Sequence, residues 1–189
     1  MNSSALKTLM LALVGGWGCT LATQAQTFTN GNSALPSTYN SGGCVGFADL
    51  DGDSYDDLVI LDQSRVLHTL YQMPNGTFEG FNLGNVSGSS QWGMCVGDFD
   101  NDGHKDVFSG GSYDGVHLMH ITAPGQGNLQ SLGNGSMFMQ ACNMADIDQD
   151  GVLDVFACHD DAVSRLWKGD EAGALNNNQA LMPLTGYDT

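Results

Sequence analysis

A nine-residue acidic pattern, Asp-x-Asp-x-Asp-x-x-x-Asp, occurs three times in this chain at a nearly constant interval. Its four acids are Asp49, Asp51, Asp53 and Asp57 in the first copy, and Asp98, Asp100, Asp102 and Asp106 in the second. In the third they are Asp146, Asp148, Asp150 and Asp154. The copies start 49 and 48 residues apart, and self-similarity at such a period marks one supersecondary unit repeated along the chain. Any fold must bring four acids together once in each repeat.

Carboxylates at alternate positions of a tight loop converge on one point, and they repel one another unless a cation sits among them. Calcium accepts six to eight oxygens in a flexible shell, whereas magnesium demands a strict octahedron and zinc or copper would draw on His or Cys. About three calcium ions are therefore expected, one per loop. In loops of this kind the seventh position contributes its backbone carbonyl, which explains the unlike residues Tyr55, His104 and Val152 there. His104 is thus read as a carbonyl ligand and not as an imidazole. The sixth position calls for a left-handed backbone, supplied by Gly103 and Gly151 but by Ser54 in the first copy. Forcing Ser into that conformation costs on the order of 1 kcal/mol, so the first site is expected to be the weakest, with Gly52 beside it as a source of relief. A single copy would compete evenly with an Asp/Gly-rich turn that binds nothing; three copies in phase argue for ions. An EF-hand would carry a bidentate Glu at position twelve, where this chain has Ile60, Ser109 and Ala157. The flanks Cys44 to Ala48 and Leu58 to Leu61 are short, apolar and partly β-branched, and read as strands.

The chain has 21 acidic and 5 basic residues and a formal charge of −16, and 12 of the acids are the loop aspartates. What remains after three calcium ions is still negative, which disfavours nucleic acid and anionic membrane surfaces. Lys7 followed by the apolar run Leu9 to Val14 and by Leu21 to Ala25 has the layout of a secretory signal peptide over 1–25, too short to span a bilayer. The expected compartment is extracellular, at the cell surface or periplasmic. Residues 26–41 then form a lead-in. Cys142 and Cys158 stand four residues before Asp146 and four after Asp154, so a cross-strand disulfide between them is one reading. Cys44 and Cys95 occupy related places in their repeats and would pair only if neighbouring repeats approach closely. Four buried free thiols is the other reading.

After each loop comes an apolar strand (Val107-Phe108, Val155-Phe156), then a second strand (Val66 to Tyr71, Val116 to His120, Ser164 to Trp167). A Gly/Asn turn and a further short strand follow. Four short strands per unit make an all-β chain of propeller blades, with blades at 42–90, 91–139 and 140–189. The arrangement resembles the FG-GAP or VCBS repeat proteins, whose calcium-loop blades also build the N-terminal propeller of integrin α-subunits. The resemblance covers about 42 to 185 and is most typical over Asp98 to Val107. It implies that the loop joins the first two strands of a blade, that the ion stiffens that hairpin, and that Cys44, Cys95 and Cys142 lie on or near innermost strands. Four to eight blades are usual, and Ala180 to Thr189 echoes Ala34 to Ser41. The expectation is a fragment of a larger propeller of the seven-bladed type, ending at the start of a further blade.

No G-x-S-x-G or H-E-x-x-H motif is present. His117 and His120, three apart on a strand, point to opposite faces, and His159 has no nucleophile to activate. The first functional reading is a non-enzymatic, secreted calcium-binding module that presents its loops to an extracellular protein or glycan in adhesion. Trp92 and Trp167 read first as core or blade-packing residues, and Trp92, set among Ser and Gln, is the better candidate of the two for a sugar platform. Two others stand beside it: the propeller part of an extracellular polysaccharide lyase or hydrolase whose catalytic part is elsewhere, and a structural spacer.

Overall fold

The computed structural model describes residues 27–133, 135–178 and 180. The expected signal peptide and the C-terminal echo beyond Ala180 lie outside the described residues. Among these there are twelve strands, a three-residue 3-10 turn at Asn32–Ala34 and no α-helix.

The strands form three four-stranded antiparallel sheets, each taken in chain order. The first contains β1 (Val45–Ala48), β2 (Asp57–Leu61), β3 (Val66–Gln72) and β4 (Phe78–Asn85). The second contains β5 (Gln91–Gly97), β6 (Asp106–Gly111), β7 (Val116–Ala123) and β8 (Gln126–Ser131). The third contains β9 (Met139–Ala145), β10 (Asp154–His159), β11 (Arg165–Gly169) and β12 (Leu175–Asn177). β1 packs beside β5 and β5 beside β9, so the first strands stand together. This is the arrangement of propeller blades, all-β as the repeat reading expects; the sheets do not close on themselves.

The second strands of the first two sheets are enclosed by their neighbours, whereas β10 is exposed at Cys158. β2 and β6 are buried along their whole length, and their apolar runs such as Leu58 to Leu61 therefore do not alternate with polar residues. β8, at the outer edge, is exposed throughout and carries Gln, Asn and Ser. Between the first two sheets the core contains Leu50, Val59, Leu61 and Leu67 with Val107, Met119 and Ile121. Between the second and third, Phe108 packs on Trp167 at 5.5 Å between ring centroids, beside Phe99, Leu118 and Val155. Each such side chain contributes about 1.5–3 kcal/mol by leaving water.

Close approach of the inner strands depends on small residues. A Cβ at Gly93 would stand 3.0 Å from the Ala141 Cα, and one at Gly97 would overlap the Met144 Sδ. The blades are also joined through the main chain, because the Lys105 amide donates to the Leu50 carbonyl at 3.0 Å. On the outer face of the first sheet, Leu35 and Tyr39 of the lead-in pack on Leu58, Ile60 and Leu70. Val45 and Phe47 on the same face stay exposed, at 49% and 70%.

The Cys142–Cys158 bridge, one of the two readings of the cysteines, is corrected by the register. Cys142 pairs with Ala157 and Cys158 with Ala141, so the two thiols lie one step out of register and on opposite faces of the sheet. The closing pair of the hairpin is Ala145 with Asp154; centring it on Asp146 and Asp154 displaces the pairing by one. All four described cysteines are free thiols. Cys142 instead meets Cys95 across the β5/β9 contact, and that thiol partner together with burial pushes the Cys142 thiol well above its ordinary value. Cys95 lies in β5, Cys142 in β9, and Cys44 immediately precedes β1, on or near the inner strands as the resemblance implies.

Candidate metal centres

Each acidic loop spans the hairpin between the first two strands of its sheet. The closing pairs are Ala48 with Asp57, Gly97 with Asp106, and Ala145 with Asp154. The ninth acid is therefore the first residue of the second strand, while the other three lie in the loop proper.

The loop backbones coil around their own carboxylates. The first acid accepts from the sixth-position amide in every copy: Ser54 to Asp49 at 3.0 Å, Gly103 to Asp98 at 3.2 Å and Gly151 to Asp146 at 2.9 Å. The fifth accepts from the seventh: Tyr55 to Asp53, His104 to Asp102 and Val152 to Asp150, at 2.8, 2.8 and 3.0 Å. Positions four and six are both left-handed. They are Gly52 and Ser54 (φ 80° and 74°), Asn101 and Gly103 (56° and 95°), and Gln149 and Gly151 (63° and 89°). Each loop thus has one glycine and one other residue in this conformation. Ser54 adopts it at a cost, but Gly52 relieves position four, where Gln149 bears the strain and Asn101 adopts the conformation readily. Backbone strain alone does not set the first loop apart.

The ninth acid has a role that spacing did not reveal. Asp57, Asp106 and Asp154 are buried at 1% exposure or less, and both oxygens of each accept backbone amides. One oxygen binds the second loop position, from Leu50, Phe99 and Ile147 at 2.9, 3.2 and 2.9 Å. The other binds the third strand, from Gln72, Ile121 and Gly169 at 2.8, 2.9 and 3.0 Å. The ninth acid is a clasp holding loop and third strand together. Burial raises the Asp57 carboxyl above its usual range, against the Gln72 and Leu50 amides. Burial pushes Asp106 up to about 6, opposed by the Ile121 and Phe99 amides and by His120.

Ligand oxygens close enough to share an ion come from Asp49, Asp51 and Asp53; from Asp98, Asp100 and Asp102; and from Asp146, Asp148 and Asp154, each set within 4.8 Å. Asp100 and Asp106 form a further set with His120. Asp57 is outside the first set and Asp150 outside the third. Tyr55, His104 and Val152 lie at the seventh position of their loops, 39% exposed, half-buried and buried respectively. A cation fits the donor sets on an observation independent of spacing: Asp98 Oδ1 is buried and has no hydrogen-bond partner, the Lys105 ammonium standing 3.8 Å from the other oxygen of that carboxylate, and a buried acidic oxygen left without a partner is costly.

One position beside the loops escaped sequence reasoning. Immediately before each clasped amide of the third strand stand Tyr71, His120 and Lys168, and all three approach the acids. The charges of Asp57 and Asp51 bear on the Tyr71 phenol, which burial pushes up to about 12. His120 Nδ1 is 3.4 Å from Asp106 and 3.7 Å from Asp100. The Lys168 ammonium contacts Asp148 and Asp150, raising its own affinity for protons and lowering that of Asp150. The signal was a fixed offset of fourteen residues from the ninth acid, hidden by three unlike side chains. His117 turns to Asp114 at 4.0 Å and His159 to Asp161 at 3.0 Å, so neither joins a loop.

Three consecutive four-stranded sheets with an acidic loop at the same hairpin define a β-propeller-like repeat protein. The model of the FG-GAP-like repeat matches residues 49–109 and 98–157, more than half of the chain, and the protein belongs to that family. No curated protein matches it.

Proposed function

We propose that this protein is a secreted, calcium-stiffened propeller module that binds an extracellular protein or glycan in adhesion or surface recognition, without catalysing a reaction. The convergence of carboxylate oxygens in three equivalent loops carries this reading, with the partnerless Asp98 Oδ1 among them. Calcium would be held by Asp49, Asp51, Asp53 and Asp57, by Asp98, Asp100, Asp102 and Asp106, and by Asp146, Asp148, Asp150 and Asp154, with the carbonyls of Tyr55, His104 and Val152. It would supply the positive charge that these acids lack among themselves. Among the described residues no helix is long and apolar enough to cross a membrane.

Support for a ligand surface comes from the end of the sheets opposite the loops. There a cleft between the first two blades is lined by Gly42, Gly43, Asp62, Gln63, Gln91 and Trp92. Trp92 is 51% exposed and Tyr113 52%, with Phe138 between them, stacked on Tyr113 at 5.3 Å and edge-on to Trp92 at 6.2 Å. Exposed aromatic faces beside amide and carboxylate groups suit a sugar ring or a peptide.

Thermal unfolding in millimolar calcium and in chelator, with bound ions counted directly, tests the ion reading. Calcium-dependent stabilisation with bound ions is expected; no shift and no ion would refute it. A glycan and extracellular-protein array probed with wild type and Trp92→Ala tests the ligand reading, which fails if binding is absent or indifferent to Trp92.

A further inference from the structure

We propose that Lys168 is the built-in counter-ion of the third loop, holding by its ammonium the acids that calcium would otherwise take, and so making this loop the weakest of the three ion sites. This inference rests on the reading of the loops as calcium sites.

Repeat geometry carries the argument. Tyr71, His120 and Lys168 are structurally equivalent: each immediately precedes the residue whose amide is clasped by the ninth acid, Gln72 on Asp57, Ile121 on Asp106 and Gly169 on Asp154. The clasp fixes the backbone beside the loop, and the side chain at this position has little choice but to face the carboxylates. In the first loop that side chain is a phenol, which brings no positive charge. In the second it is the His120 imidazole, and the Lys105 ammonium stands 3.8 Å from Asp98, beyond hydrogen-bond distance. In the third it is an ammonium with three donors that cannot diffuse away, hydrogen-bonded to two of the acids.

The effect is visible in how the acids gather. In the first two loops the oxygens of positions one, three and five come together, Asp49 with Asp51 and Asp53, and Asp98 with Asp100 and Asp102. In the third the fifth-position acid is absent from the set, which is Asp146, Asp148 and Asp154. Asp150 is engaged by Lys168, as is Asp148. Charge-assisted hydrogen bonds to two carboxylates are the stronger kind, and an arriving divalent ion must break both. Backbone strain does not rank the third loop below the first, since Ser54 and Gln149 are both strained in the left-handed conformation that Asn101 of the second loop adopts readily. Site affinity is thus set from the third strand, by a residue outside the loop.

The test is calorimetric calcium titration of the whole chain, wild type and Lys168→Met, which retains an unbranched apolar stem and loses the charge. The third site is assigned by its loss in Asp146→Ala. In the wild type this site should be the weakest, and in Lys168→Met it should tighten by about tenfold or more while the other two stay within about twofold. Lys168→Met should also unfold at lower temperature than wild type in chelator and recover in calcium, which a purely structural lysine would not show. A third-site affinity that is unchanged or weaker in a cooperatively folding Lys168→Met overturns the inference and leaves the calcium reading intact. Absence of calcium binding in both proteins overturns the calcium reading and this inference with it. An ion bound by Lys168→Met at a loop that binds none in the wild type would be the inference in its strongest form.

Discussion

Replacing Asp154 by Ala separates the two kinds of acid in these loops. Asp154 is fully buried and accepts from Ile147 at 2.9 Å and from Gly169 at 3.0 Å. Alanine leaves both amides without an acceptor; the Gly169 amide is buried and the Ile147 amide partly so, and at about 1–3 kcal/mol for an unsatisfied buried group the loss is about 1–6 kcal/mol. At roughly 2–4 °C per kcal/mol for a chain of this size, the midpoint falls by roughly 2–24 °C. The decisive condition is chelator, because the clasp needs no ion: the loss should persist there nearly undiminished. Asp102→Ala is the contrast. Asp102 is exposed and its Oδ1 accepts the His104 amide within its own loop at 2.8 Å, so in chelator it should cost at most about 0.5 kcal/mol, while in calcium it should weaken the second site. Urea unfolding of both variants, with and without calcium, provides the comparison. An Asp154→Ala protein within about 1 kcal/mol of wild type in chelator would refute the clasp and leave the ninth acid an ion ligand alone.

Three further outcomes follow from the geometry. Ser54→Gly removes a left-handed non-glycine residue (φ 74°) and should stabilise the protein by about 1 kcal/mol, measured by urea unfolding; destabilisation would contradict the strain argument. Because burial raises Asp106 to about 6, the calcium-free fold binds its proton more tightly than the unfolded chain does, so stability is greatest below pH 4 on this account and is lost as pH rises through about 6. The loss is at most about 3 kcal/mol, lessened by solvent at the loop. Chelator-treated protein should therefore be more stable at pH 5 than at pH 8, and Asp106→Asn should flatten the difference. Gly93→Ala would drive a Cβ to 3.0 Å from the Ala141 backbone and should cost about 1–3 kcal/mol by separating the second and third blades, with a lowered thermal midpoint as its readout.

The repeat, its strands and the placement of its loops were legible because each depends on local pattern. The acids recur at fixed spacing, the flanking runs are apolar, and four-stranded sheets follow in chain order. Two kinds of information were not legible. Register is decided by a single residue, and counting from Asp146 instead of Ala145 moved Cys158 to the wrong face of its sheet. Division of labour among identical residues was also hidden: Asp150 and Asp154 are the same amino acid in the same motif, yet one is a rim carboxylate paired with Lys168 and the other a buried acceptor of two amides. Nothing in the letter Asp distinguishes them, because the distinction arises when the third strand folds over the loop. Tyr71, His120 and Lys168 share a place for the same reason and no chemical likeness discloses it.

The hydrogen bond from the Lys105 amide to the Leu50 carbonyl has a bearing on how such a chain can change over time. It joins two blades through groups that every residue but proline possesses, so the seam is indifferent to the side chains that border it. Lys105 is free to drift without severing the link, and Leu50 is held by the core it fills and not by this bond. A seam built from a matched pair of side chains would require two coordinated substitutions for every such step. Repeats joined in this way can diverge in sequence until only their acids remain recognisable and still stack on one another.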